Sequence, residues 1–192
     1  NVVYFVYGNY PYIFNAQSYQ VETFDIRQFI PNPPQMVLKG AISFDSQNNI
    51  YLGFHSKYIS LDSQYNLRWI YDLQNENISF RSTPIIDDQT GRLYVGTKAN
   101  ELSEFIALNL SDGTLAWSYF TGQDIYSSPA LRNRQLYFGS EAKKLHVLTT
   151  EGEFVYEILV HQDLGWPSPI IDSQGILYIG GTRGFFFAIN IN

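Results

Sequence analysis

Apolar residues along this chain come in short runs rich in β-branched and aromatic side chains, set apart by clusters of Asp, Asn, Ser and Gly. The clearest are IYLGF (50–54), RLYVGT (92–97), QLYFGS (135–140) and ILYIGG (176–181). None shows the three- and four-residue spacing of an amphipathic helix, so the pattern predicts strands joined by turns. The stretch 126–160 states the unit most fully. It opens on Ser127-Ser128-Pro129 and continues as an apolar strand ending at Gly139. A polar turn leads to a second strand at 145–148, and a turn at Glu151-Gly152 leads into a third.

The landmarks of that unit recur. Gly8, Gly53, Gly96, Gly139 and Gly180 end corresponding strands at steps of 41 to 45 residues. Propeller blades and some helical repeats share this period, and the strand content selects the propeller. Units open on Ser82-Thr83-Pro84, Ser127-Ser128-Pro129 and Ser168-Pro169, with Ala41-Ile42-Ser43 in the same place without proline. Proline at the first position of a strand removes no ladder hydrogen bond. Polar hairpin turns follow at 45–49, 87–91, 132–134 and 172–175, where Asp, Asn and Gly supply turn conformations. The expected fold is all-β, a β-propeller of four-stranded antiparallel blades. Blades are expected at 1–30 (incomplete), 39–73, 80–121, 126–160 and 166–192 (incomplete), with Ile30-Pro31-Asn32-Pro33-Pro34 as a stiff extended linker. The two incomplete units omit different strands, and a ring avoids exposed edges only by closing. An arc of a larger ring is therefore expected over a closed ring of five.

Composition adds boundaries. A length of 192 residues suits one all-β domain, and 15 Tyr and 14 Phe favour strands. A net charge of -6, with no basic run beyond Lys-Lys or Arg-x-Arg, argues against a nucleic-acid surface. The absence of Cys removes disulfides, thiolate zinc sites and cysteine nucleophiles while leaving the compartment open. No segment has the apolar length of a membrane span, and none reads as a signal sequence. The chain begins at Asn1 and its final unit stops before the aromatic strand described next, so a piece of a longer protein is the expectation.

The third landmark is Ala107-Leu108-Asn109-Leu110-Ser111-Asp112-Gly113-Thr114-Leu115-Ala116-Trp117, with counterparts in Ser60-Leu61-Asp62…Trp69 and Val147-Leu148-Thr149…Gly152…Tyr156. Such a strand, a Gly turn and a following Trp, preceded by Ser-Pro and Tyr-x-Gly, resemble the PQQ-type repeat of quinoprotein dehydrogenase-like β-propellers over residues 40–190. The resemblance implies rings of seven or eight blades and an extracytoplasmic or secreted setting, with the cytoplasm remaining open. For active members it implies PQQ held over the channel with a calcium ion, a catalytic acid and an adjacent cysteine pair. This chain has no Cys and no matching acidic cluster, so none of those roles passes to one of its residues. No cofactor is expected, PQQ and calcium included, and no metal site.

Trp69, Trp117 and Tyr156 recur at one repeat position, which predicts packing between sheets in preference to an aromatic ligand box. A position where the repeats disagree is more informative. Lys39, Arg81, Tyr126 and Trp166 stand three residues before the opening Pro or its equivalent Ile42, at one end of the innermost strand. They are either ordinary solvated loop residues or a recognition rim around the central channel, cations with Tyr and Trp being the types that anchor interfaces. His55, His146 and His161 share no ligand spacing. Asp45, Gln47 and Asn49 imitate the start of a calcium loop, but its twelfth position is Ser56, so a hairpin turn is expected there. Gly-rich phosphate loops and the Gly-x-Ser-x-Gly elbow are absent, and no catalytic residue is assigned. The expected function is a non-catalytic module that recognises a protein, or a glycan or peptide, through one face of the ring. The alternatives are a fragment of a PQQ-dependent oxidoreductase, and a structural arc whose open blade edges are completed by other chains. Asn77-Ile78-Ser79 and Asn109-Leu110-Ser111 read as glycosylation sequons.

Overall fold

The structure, a computed structural model, describes residues 2–7, 10–23, 25–30, 40–160, 163–181 and 183–192. Gly8, Lys39, His161 and the proline linker at 31–34 lie outside the described residues. Five antiparallel sheets follow one another along the chain. The first contains β1 (Val2–Tyr7), β2 (Tyr10–Asn15) and β3 (Gln20–Thr23). The second contains β4 (Ser43–Phe44), β5 (Ile50–Phe54), β6 (Lys57–Leu61) and β7 (Leu67–Asp72). The third is built from β8 (Ser79–Phe80), β9 (Ile85–Asp87), β10 (Arg92–Lys98), β11 (Glu104–Asn109) and β12 (Leu115–Phe120). β13 (Ala130–Arg132), β14 (Gln135–Ser140), β15 (Lys144–Thr149) and β16 (Phe154–Leu159) form the fourth, and β17 (Ile170–Ile171), β18 (Ile176–Gly180) and β19 (Phe186–Asn190) the fifth. Each sheet is an up-and-down meander in chain order, which is the blade of a β-propeller. No helix among the described residues is long and apolar enough to cross a membrane.

The core lies between blades. In β10, Leu93 and Val95 join Tyr51, Tyr58 and Phe80 of one cluster, while Tyr94 between them joins Phe105, Ile125, Leu136 and Phe138 of the next. Alternate residues of one strand thus serve two neighbouring interfaces, which is why β5 and the centres of β10 and β14 are buried along both faces. The recurrent glycine belongs to this arrangement, because the next blade rests an apolar residue on it. Phe80 lies on Gly53, where a Cβ would stand 2.8 Å from the Phe80 Cβ, and Ile125 and Leu164 press closer still on Gly96 and Gly139.

The recurrent tryptophans also join blades. Trp69 donates its indole N–H to the Leu110 carbonyl and Trp117 to the Thr150 carbonyl, both at 3.0 Å. Each ring covers a turn glycine of the following blade, and a Cβ on Gly113 would stand 2.5 Å from the Trp69 ring. Gly113 (φ +73°) and Gly152 (φ +86°) are therefore required twice over, for backbone conformation and for space.

The Ser-x-Pro openings divide their labour. The first serine stays within its blade: Ser82 Oγ accepts from the Gly96 N–H at 2.8 Å and Ser127 Oγ from the Gly139 N–H at 3.2 Å. The second hydroxyl reaches back one blade. Thr83 Oγ1 accepts from the Ala41 N–H at 3.0 Å, Ser128 Oγ from the Thr83 N–H at 3.0 Å, and Ser168 Oγ from the Ser128 N–H at 2.9 Å. In the third sheet this opening interrupts the innermost strand. β8 pairs with β10 at Thr97 and Lys98, β9 pairs with it at 92–94, and the sheet has five strands where four were expected. A one-turn helix at Ile26–Phe29, started by the Asp25 carboxylate accepting from the Arg27 N–H, also had no counterpart in the strand pattern.

The fifth sheet turns an open face to solvent. Phe186 is 70% exposed, whereas Tyr58, Phe105 and Leu145, which pair with the glycine of their own blades in the same way, are 0% exposed. If Trp117 is the clasp between the third and fourth blades, Trp117→Ala lowers stability by about 3 kcal/mol. Urea denaturation checks this, and a loss below about 0.5 kcal/mol, the range of ordinary surface changes, would contradict the clasp.

Candidate functional site

The inner strands β9, β13 and β17 run from their prolines towards the hairpin turns, so the residues just before those prolines gather at the opposite end of the blades. There the structure brings two of the four candidate residues together. Tyr126 and Trp166 lie on the segments leading into β13 and β17, and their rings stack with centroids 4.2 Å apart and planes 9° apart. The Tyr126 N–H donates to the Gly165 carbonyl at 2.8 Å, which fixes the two segments side by side. Trp166 remains 62% exposed. Arg81 sits in the interruption between β8 and β9 and donates from Nε to Ser79 Oγ at 3.0 Å. Its charge reaches the Tyr126 phenol. Lys39 lies outside the described residues.

Carboxylates border the stack. The Tyr126 hydroxyl donates to Asp124 Oδ2 at 3.2 Å, and Glu141 and Asp163 flank Gly165, next to Trp166, where an added Cβ would stand 2.5 Å from Glu141 Cγ and 3.2 Å from Asp163 Oδ1. Asp124 is buried and highly satisfied, accepting from Ser103 Oγ at 2.7 Å and the Ala99 N–H at 3.0 Å, with Lys98 Nζ at 3.4 Å. Burial opposes its ionisation, but these donors outweigh it and hold its carboxyl below the usual range. Glu141 is pushed the other way, first by burial and then by the charges of Asp163 and Asp124. Burial, followed by Asp124 and Glu141, lifts the Tyr126 phenol to about 12. The three acids were invisible to the repeat comparison because they lie outside its landmarks. Asp124 and Asp163 carried a signal in standing two and three residues before Tyr126 and Trp166, whereas Glu141, in the turn after β14, carried none.

Other constellations carry less chemistry. Ser140 Oγ and His146 Nε2 are 2.8 Å apart, and Glu157 Oε2 is 4.0 Å from His146 Nδ1, an order resembling a nucleophile, base and orienting acid. Ser140 has no exposed surface and Phe138 stacks on the imidazole, so no substrate reaches the pair. The Asp45 carboxylate accepts from the N–H groups of Gln47 and Asn49, from Asn49 Nδ2 and from the Tyr51 hydroxyl at 2.7–2.9 Å. That is a saturated hairpin turn, and its oxygens are not free for calcium. Among the described residues no three His, Cys, Asp or Glu side chains converge as metal ligands. Together with the lack of Cys, these residues do not fit the calcium–PQQ arrangement implied by the repeat. A cavity of about 510 Å³ lies at the hairpin end between the second and third blades, lined by Asp45, Arg68, Asp88 and Asn109. A smaller one of about 340 Å³ at Asp87, Arg132 and Arg134 repeats that position one blade on. Neither touches the rim residues.

No family model matches the sequence and no curated protein matches it. Solved structures do match. BamB from Moraxella catarrhalis superposes with a TM-score of 0.74 at 18% identity, over 100% of this chain and 57% of that one. The quinohemoprotein alcohol dehydrogenase of Comamonas testosteroni gives 0.77 at 12% identity, over 98% and 40%. A europium-containing methanol dehydrogenase gives 0.69 at 10% identity, over 99% and 49%. The chain has the β-propeller fold of these proteins and spans about half their length.

The buried His146 predicts a pH dependence. Burial, only partly offset by Glu157 and reinforced by Lys144, lowers its pKa from 6.5 to about 4. The unfolded chain therefore takes up this proton first. The contribution is full above about pH 6.5 and is lost as pH falls towards 4, by up to about 3 kcal/mol. Subtracting the stability–pH curve of His146→Phe from that of the wild type should isolate a slope confined to this window. Parallel curves would contradict it.

Proposed function

We propose that this chain is a non-catalytic β-propeller binding module that docks a protein partner on the rim, with Arg81, Tyr126 and Trp166 at the contact; Lys39, which shares their repeat position, lies outside the described residues. The Tyr126–Trp166 stack carries the reading. A solvated loop residue gains nothing from being held, whereas this largely exposed indole is fixed by a ring on one face and by the bond of the Tyr126 N–H to the carbonyl of the residue before it, Gly165. A side chain held in this way loses little conformational freedom on binding, and Trp, Tyr and Arg are the residues that dominate interface energies. The fold itself selects no activity, being common to proteins named as alcohol or methanol dehydrogenases and to BamB. A glycan or free peptide would use the same rings and is distinguished by the test below.

An extracytoplasmic setting belongs to this proposal. Of the two sequons, Asn77 is exposed in the turn after β7, while the Asn109 amide is engaged with Thr114 Oγ1 at 2.8 Å. The open Phe186 face favours a second reading, in which an apolar sheet of another chain packs there. Sedimentation mass tests it, and a monomer at micromolar concentration would count against it.

The double variant Arg81→Ala/Trp166→Ala should bind protein partners captured by the wild type at least roughly 30-fold more weakly, as expected when an anchor worth about 2 kcal/mol is removed. Unchanged affinity in a variant with an unchanged melting temperature would sink the proposal. Oligosaccharides that bind in a rim-dependent manner, with no rim-dependent protein, would replace the partner class.

A further inference from the structure

We propose that the segment seated on the rim is basic, placing a Lys or Arg side chain on the open face of Trp166 beside Glu141 and Asp163. The inference rests on the rim being a docking surface and adds the chemistry of what docks. Stacking on Tyr126 occupies one face of the indole, and the 62% exposure leaves the other available. Tryptophan is the strongest aromatic partner for a cation.

The charges beside the stack are unevenly answered. Asp124 has Lys98 at 3.4 Å and three hydrogen bonds. Glu141 feels the Lys98 charge only from beyond ion-pair distance, and Asp163 accepts from the Gly165 N–H at 2.8 Å. Neither Glu141 nor Asp163 forms an ion pair among the described residues, and the repulsion between them is felt by Glu141. Arg81 lies on the Tyr126 side and is held by Ser79, so the negative side of the platform is the Trp166 side. A sugar ring would satisfy the stacking but leave that repulsion in place. A partner cation relieves it, and the net charge of -6 draws basic segments towards the chain.

A random dodecapeptide display library, selected on the wild-type chain and counter-selected on Tyr126→Ala/Trp166→Ala, tests this. Recovered sequences are then synthesised, and their affinities measured by fluorescence anisotropy on the wild type, on Glu141→Gln and on Glu153→Gln, whose exposed carboxylate lies at the far end of the blades. Glu141→Gln keeps the length and polarity of the side chain and removes its charge. The expected peptides depend on the rim, are enriched in Lys and Arg, and lose roughly tenfold in affinity in Glu141→Gln and none in Glu153→Gln. Rim-dependent peptides without basic enrichment, or indifferent to Glu141→Gln, overturn the basic class and leave the docking surface standing. Failure to recover any rim-dependent peptide overturns both. Should the double variant unfold, Trp166→Gln replaces it in the counter-selection.

Discussion

Backbone N–H groups at the inner ends of the blades are the constraint on which this structure depends. Where the chain enters a blade it must turn into the innermost strand, and there the sheet ladder cannot satisfy every donor. A buried N–H without an acceptor costs on the order of 1–3 kcal/mol. Two hydroxyls in succession remove that cost, one for the Gly96 or Gly139 N–H of the same blade and one for a donor of the blade before. The proline that follows adds no donor of its own. The glycine that offers its N–H is also the residue on which Ile125 or Leu164 of the next blade rests. Hydrogen bonding and close packing thus meet at the same residue, which is why Ser, Pro and Gly recur together.

Much of this was legible in the residues because every blade solves the same problem. Strand positions, turns, the glycine and the tryptophan clasp repeat, and repetition separates signal from accident. The division of β8 from β9 was not legible, since the residues that cause it are the ones that begin an unbroken strand elsewhere. The turn at Ile26–Phe29 stands outside the repeat and depends on a single cap from Asp25. His146 read as an isolated histidine because its partners, Ser140 and Glu157, belong to neighbouring strands whose cross-strand register only pairing reveals. The rim lay between these cases. Divergence at one repeat position marked Arg81, Tyr126 and Trp166, and adjacent blades place equal positions side by side. That the two rings stack, and that Asp124 accepts from the Tyr126 hydroxyl, required the connecting segments.

The two ends of the blades differ in kind. At the hairpin end the polar groups are numerous and largely spent on one another, as in the Asp45 turn and again at Asp62 and Asp172, each of which accepts two backbone N–H groups and a side-chain donor. Two cavities lie there, yet the acidic groups that line them are already engaged. At the rim, apolar surface on Trp166 and the charges of Glu141 and Asp163, which form no ion pair among the described residues, are left together. Enclosed volume lies at one end and unspent chemistry at the other, and the proposed docking follows the chemistry.

The belt of hydroxyls has a direction, since the third and fourth blades each give an acceptor backwards and a donor forwards. A segment copied in frame from one blade carries one of each. Inserted between any two blades it takes up the donor before it and offers its own to the acceptor after it, so no polar group is orphaned by the insertion. Growth by duplication is therefore nearly free of hydrogen-bond penalty in this architecture, whereas loss of a single hydroxyl is felt at a junction belonging to another blade. The inheritable unit of such a chain is offset from the visible sheet, running from one hydroxyl to the next.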